Sequence, residues 1–204
     1  MRRKTRRELF QYHSSQLKNK KSCTSSPMSE NFSTSADHAA RLLTVPSALI
    51  NLTIEEARVV VSYMTPRFIP AETTFIREGD TGDEGFMALV LEGEVVVESI
   101  IVSRTEPVTI TVLGPGSLIG EVGLIDREPR SASCTAATDL SCAILTRAAL
   151  ETLIAKEPQV GAKLLLAISA LLAERLRDNA RKLRLYAKLA TTMQQEIESF
   201  TQSQ

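Results

Sequence analysis

Glycines at 114, 116, 120 and 123, the carboxylate of Glu121 and the guanidinium of Arg130 fall within one run, Gly114 to Ala132, and their types and spacing suit the binding of an anion. Glycine lets backbone approach a ligand closely. A helix start presents unpaired N–H groups that attract phosphate, and the spacing predicts one short helix over Leu118 to Ile125. Arg130 follows Pro129, where a bent loop can return it toward Glu121, and its planar fork of donors matches a phosphate better than a lysine would. A carboxylate beside a bound anion makes sense when it accepts hydrogen bonds from hydroxyls, as from a ribose. The ligand therefore carries phosphate and sugar together. A plain ion pair between Arg130 and Glu121 is the competing reading of the same two residues.

The elements that must position this run are short strands. From Arg67 to Thr146, Thr73 to Ile76, Phe86 to Leu91, Val95 to Val102, Val108 to Leu113 and Leu140 to Leu145 are rich in β-branched and apolar residues, separated by Gly, Pro, Asp or Ser. Val108, Ile110 and Val112 alternate with Thr109 and Thr111, which predicts a strand with the threonines on its wetter face. About eight strands in this length predict an antiparallel jelly roll. Gly79-Asp-Thr-Gly-Asp83 reads as a tight turn. Upstream, Ala39 to Leu43 reads as a short helix with Asp37 as its N-cap. Thr53-Ile-Glu-Glu56 is a capping box that opens a second helix, ending by Pro66.

Composition narrows the class. The chain has 204 residues and no formal net charge. Residues 1–27 hold eight Lys/Arg against the single acid Glu8, a net +7, so the remainder carries −7. Non-specific nucleic-acid binding needs a basic body, and this one is mildly acidic. Residues 1–37, rich in Ser, Thr and basic side chains without apolar periodicity, read as a disordered tail; they lack the apolar stretch of a secretory signal. Cys23, Cys134 and Cys142 show no metal or disulfide spacing, which suits a reducing cytoplasm, and Cys134 and Cys142 fit best as small buried apolar residues. Jelly rolls also house metal enzymes with histidine ligands. Here His13 and His38 both lie outside the strand region, no nucleophile–base pair is present, and no catalytic or metal-binding residue is assigned.

The run Gly120-Glu-Val-Gly-Leu124, followed by Pro129-Arg-Ser-Ala132, resembles the phosphate-binding cassette of the cyclic nucleotide-binding domain family, whose members include bacterial transcription activators and kinase regulatory subunits. The likeness continues in Arg77-Glu-Gly-Asp-Thr-Gly-Asp83, Phe86 and Glu92-Gly-Glu-Val95, in the family's order, and covers roughly Leu42 to Arg177. It implies a mainly β fold with flanking helices, an antiparallel jelly roll over residues 38–156 followed by a long helix over 157–204. It also implies a ligand, cyclic AMP or cyclic GMP, and no other cofactor. Arg130 would pair with the cyclic phosphate and Gly120, Glu121 and Val122 would supply the cassette. Glu121 would accept from the ribose 2′-hydroxyl, and Ser131 and Ala132 would add donors. Ser131 leaves the base open, since a hydroxyl there serves either.

Pro158 opens a helical segment that runs to about Phe200 with Gly161 as its only glycine. Leu165, Leu172, Asn179, Tyr186, Met193 and Phe200 recur every seven residues, and Ser169, Leu176, Leu183, Ala190 and Ile197 stand four after the first five. This seam predicts a parallel coiled-coil homodimer. Asn179 sets the register of that seam or, by resemblance, meets the base. Arg175, Arg177, Arg181, Lys182, Arg184 and Lys188 read as solvated flanks. Only 23 residues follow Arg181 and they continue the heptad, so no DNA-reading helix is expected, direct DNA binding is not expected, and the output partner is an unknown effector protein. No segment is apolar enough for a membrane span.

Overall fold

The computed structural model describes residues 28–45, 52–81, 85–100 and 107–202. Ser33–Gln204 forms one compact unit and Met1–Phe32 another, of which only the helical residues 28–32 are described. The elements are α1 (Met28–Leu43), α2 (Ile54–Ser62), β1 (Thr65–Ile69), β2 (Thr74–Ile76), β3 (Phe86–Glu92), β4 (Val95–Ile100), β5 (Pro107–Leu113), β6 (Leu118–Ile119), α3 (Glu121–Ile125), β7 (Ser133–Ala136), β8 (Leu140–Thr146), α4 (Arg147–Lys156) and α5 (Pro158–Gln202).

The strands make two antiparallel four-stranded sheets, ordered β1-β8-β3-β6 and β2-β7-β4-β5. Side chains alternate across a strand, and here both faces of the central strands are covered. In β3, Ala88 and Val90 join Ile69, Ile76, Val95, Cys134 and Leu140 in the layer between the sheets. Met87, Leu89 and Leu91 point the other way and pack with Leu43, Val60, Leu124, Leu153, Leu164 and Ile168 from the helices. Burial on both faces explains why Phe86 to Leu91 is an unbroken apolar run.

Several expectations need correction at element boundaries. Helix α1 starts at Met28, ahead of the expected Ala39, so Asp37 is an interior residue. Its carboxylate takes the Arg58 guanidinium at 2.9 Å and caps nothing. Serine and threonine cost only a few tenths of a kcal/mol in a helix, and the burial of Ala39, Ala40 and Leu43 anchors this one. Residues 1–27 lie outside the described set. The capping box is present, with Thr53 and Glu56 satisfying each other's backbone N–H. Pro66 does not end that helix; Ser62 does, and Pro66 sits in the edge strand β1, where its missing N–H disrupts least. Helix α4, capped by Thr146, was not expected.

Helix α5 runs from Pro158 to Gln202. Its first turns are sequestered: Leu164, Ala167 and Ile168 are buried, and Gly161 lies so close to α4 that a Cβ would stand 2.8 Å from Ile154. Farther along, Leu176, Leu183, Tyr186 and Met193 are exposed. Among the described residues no helix is long and apolar enough to cross a membrane.

Candidate functional site

The predicted helix over Leu118 to Ile125 is two elements. Leu118 and Ile119 pair with Leu89 and Ala88 as strand β6, and the helix is confined to Glu121–Ile125. Gly120 separates them with φ +77, a left-handed conformation that disfavours any other residue. A Cβ on Gly120 would also stand 2.9 Å from the Phe86 carbonyl oxygen. The chain therefore turns sharply at Gly120, and Glu121 is carried inward.

Arg130 is fixed at both ends. Its backbone is clamped by the turn after β2: Gly79 N–H donates to the Arg130 carbonyl at 2.8 Å, and Arg130 N–H donates to the Asp80 carbonyl at 3.0 Å. That gives the Gly79–Asp80 segment a positioning role. At the other end, Nη1 donates to the carbonyl oxygens of Gly120 at 3.0 Å and Phe86 at 3.1 Å, and the guanidinium carbon lies 4.6 Å from the Phe86 ring centroid. Gly123 leaves the room: a Cβ there would stand 2.6 Å from Nη1. Burial pushes the Arg130 pKa down, opposed by Asp126, Asp80 and Glu121 among its neighbours. The group nonetheless remains cationic at neutral pH. Among the described residues no carboxylate forms an ion pair with it.

The Arg130–Glu121 pair weighed from sequence is thus absent, because Glu121 has another partner. Its side chain is 2% exposed, and Oε1 accepts from Arg175 Nη1 on α5, while Arg175 Nη2 donates to the Leu118 carbonyl at 2.7 Å. Sequence reasoning placed Arg175 on a solvated flank and missed this. One signal was available: Arg175 stands four residues before Asn179, on the same helix face.

These residues surround a cavity of about 580 Å³. Gly120, Glu121, Val122, Arg130, Ser131, Ala132 and Asn179 all line it, so the fold brings together every candidate site residue. Thr111 and Leu113 of β5 add to the wall, and Val112, expected on the buried face of that strand, is 54% exposed. Arg130, Arg175 and Lys182 outnumber the carboxylates Glu121 and Asp178 among the lining charges. Arg175 is neutralised by Glu121, and Asp178 holds Arg181 at 2.7 Å, so the positive charge left for a ligand centres on Arg130 and Lys182. Cys134 lies in the same wall, and burial raises its thiol to about 11, which keeps it protonated and unreactive at neutral pH.

A half-open cavity with a net positive lining and apolar residues Ile76, Val97, Leu113 and Leu172 in its wall can hold a phosphorylated nucleoside. The sequence profile described as the cyclic nucleotide-binding domain matches residues 66–157. The crystal structure of a cyclic nucleotide-binding domain from Methylobacillus flagellatus is 32% identical and superposes with a TM-score of 0.64 over 73% of this chain and 82% of that one. The chain belongs to the cyclic nucleotide-binding domain family. The cyclic AMP receptor protein of Thermus thermophilus is 36% identical over 124 residues, 61% of this chain and 54% of that protein. A cyclic nucleotide-gated potassium channel of Rhizobium etli is 34% identical over 101 residues, 50% of this chain and 26% of the channel. The chain thus spans between about a quarter and about half of these relatives. The family is one of sensors and regulators, and the jelly-roll expectation holds in the two four-stranded sheets.

Proposed function

We propose that this chain is a receptor for cyclic AMP, or for cyclic GMP, with no catalytic step of its own, and that it passes binding to its C-terminal helix. The observation that carries the reading is Arg130: a half-buried cation beside a net-positive cavity, held by two carbonyl oxygens and, among the described residues, by no carboxylate. A cyclic phosphate supplies the missing charge partner, met by the guanidinium fork and by N–H groups of Glu121 and Val122. Ser131 and Ala132 border the same end of the cavity. A carboxylate has two oxygens, so Glu121 accepts a ribose hydroxyl while keeping Arg175. The base then lies along the apolar wall toward Asn179. The name of the Thermus thermophilus relative favours cyclic AMP.

Glu121 and Arg175 give the switch a physical route, because a ligand that draws on Glu121 alters the balance of an ion pair reaching onto α5. The exposed Leu176, Leu183, Tyr186 and Met193 support a coiled-coil homodimer along that helix. A cytoplasmic effector protein then reads the helix of the liganded dimer.

Isothermal titration of the full chain, freed of carried-over nucleotide, with cyclic AMP and then cyclic GMP tests the reading. Micromolar or tighter binding of one of them is expected, at one site per chain. No heat and no thermal shift with either would make the cavity a vestige and the chain a dimerisation module.

A further inference from the structure

Arginine offers a long, mobile side chain, and a binding site gains from holding it before the ligand arrives. Around the Arg130 guanidinium the restraints are few. Two main-chain carbonyls accept from Nη1, and Gly120 and Gly123 present no side chain. The flat apolar contact comes from the Phe86 ring, with the guanidinium carbon 4.6 Å from its centroid. Phe86 is also the first residue of β3, paired with Thr146 of β8, and its side chain is half-buried against the layer between the sheets. One residue therefore supplies both a ring and a carbonyl to the same cation, from a strand that cannot easily move.

We infer that Phe86 is a positioning residue for Arg130, holding the guanidinium plane by its ring and its carbonyl so that the remaining donors face the cavity. The inference rests on the proposed role of Arg130 in binding a cyclic phosphate. A planar guanidinium stacks on an aromatic face and a lysine ammonium does not use that face in the same way. Substituting Phe86 leaves the main-chain carbonyl in place, so a side-chain change isolates the ring.

The test is a set of cyclic AMP titrations on the full chain, with wild type, Phe86→Leu, Phe86→Tyr, Arg130→Lys and the double variant Phe86→Leu with Arg130→Lys. Phe86→Leu is expected to bind about three- to tenfold more weakly, and Phe86→Tyr to stay within about twofold of wild type. In the Arg130→Lys background, Phe86→Leu is expected to change affinity by less than about twofold, because an ammonium has no planar face to lay on the ring. A packing role would instead give the same loss in both backgrounds, and that result would overturn the inference. Wild-type affinity in Phe86→Leu would overturn it too, while leaving the receptor reading intact. Absence of binding by the wild type overturns both. Ligand-free melting curves check that the variants fold; if Phe86→Leu does not, Phe86→Met is read by the same criteria, and unfolding of both assigns Phe86 to packing alone.

Discussion

Two arginines line one cavity, one from the loop before β7 and one from α5, and they are held in opposite ways. Arg130, on the barrel side, leans on carbonyl oxygens and an aromatic ring and has no carboxylate partner among the described residues. Arg175, on α5, is neutralised by the buried Glu121 and tied to the Leu118 carbonyl. Carbonyls orient a guanidinium without cancelling its charge, whereas a carboxylate cancels it. The barrel wall therefore keeps a cation for a ligand, and the helix wall spends its cation on structure. On the receptor reading, the difference separates a ligand-binding arginine from a linking one, although both line the same space.

The largest break in that comparison should come from Arg130→Ala. On the receptor reading it removes about 2–5 kcal/mol of binding, thirtyfold or more in affinity, with little change in the ligand-free melting temperature. Isothermal titration and thermal melts read the two effects. Arg175→Ala should do the reverse in kind. It leaves the Glu121 carboxylate buried without its partner, and because Arg175 is itself 38% exposed the cost is set at about 2–3 kcal/mol, a fall of roughly 4–12 °C in the melting midpoint. Removing both charges, as Glu121→Leu with Arg175→Met, should restore most of the stability. A melt unchanged by Arg175→Ala would show that the pair links nothing.

Gly123→Ala sharpens the comparison with a smaller effect. The added methyl falls 2.6 Å from Arg130 Nη1, so the guanidinium must shift, yet alanine suits a helix better than glycine by about 1 kcal/mol. Affinity for cyclic AMP should drop about tenfold, one charge-assisted hydrogen bond's worth, while stability holds or rises. Titration and melting together detect that split.

The local half of this site was legible in the sequence. Gly120, Glu121, Val122, Arg130, Ser131 and Ala132 lie within thirteen positions; Gly120, Glu121 and Arg130 could be read from types and spacing, and Val122, Ser131 and Ala132 from the family resemblance. Asn179 stood out because it interrupts a heptad, and its place at the cavity came from the family resemblance. Arg175 was not, since its partner stands 54 residues away and a basic residue on a long helix is usually solvated. Phe86 was quoted in the resemblance, but its ring's role was hidden by its place in an apolar run that explains itself by burial. The cassette helix was overdrawn for a related reason: Leu118 and Ile119 have helix-compatible side chains, and only pairing with β3 makes them a strand. In β5 the local alternation placed Val112 on a buried face, yet it is 54% exposed, while Thr111 lines a cavity that no local pattern announces.

The most direct test of the central claim is a crystal structure of the full chain with cyclic AMP. The account predicts the cyclic phosphate within hydrogen-bond distance of Arg130, the ribose 2′-hydroxyl on Glu121, and the Phe86 ring still stacked on the guanidinium. A phosphate seated instead on Arg175 or Lys182, with Arg130 left on its two carbonyls alone, would contradict it.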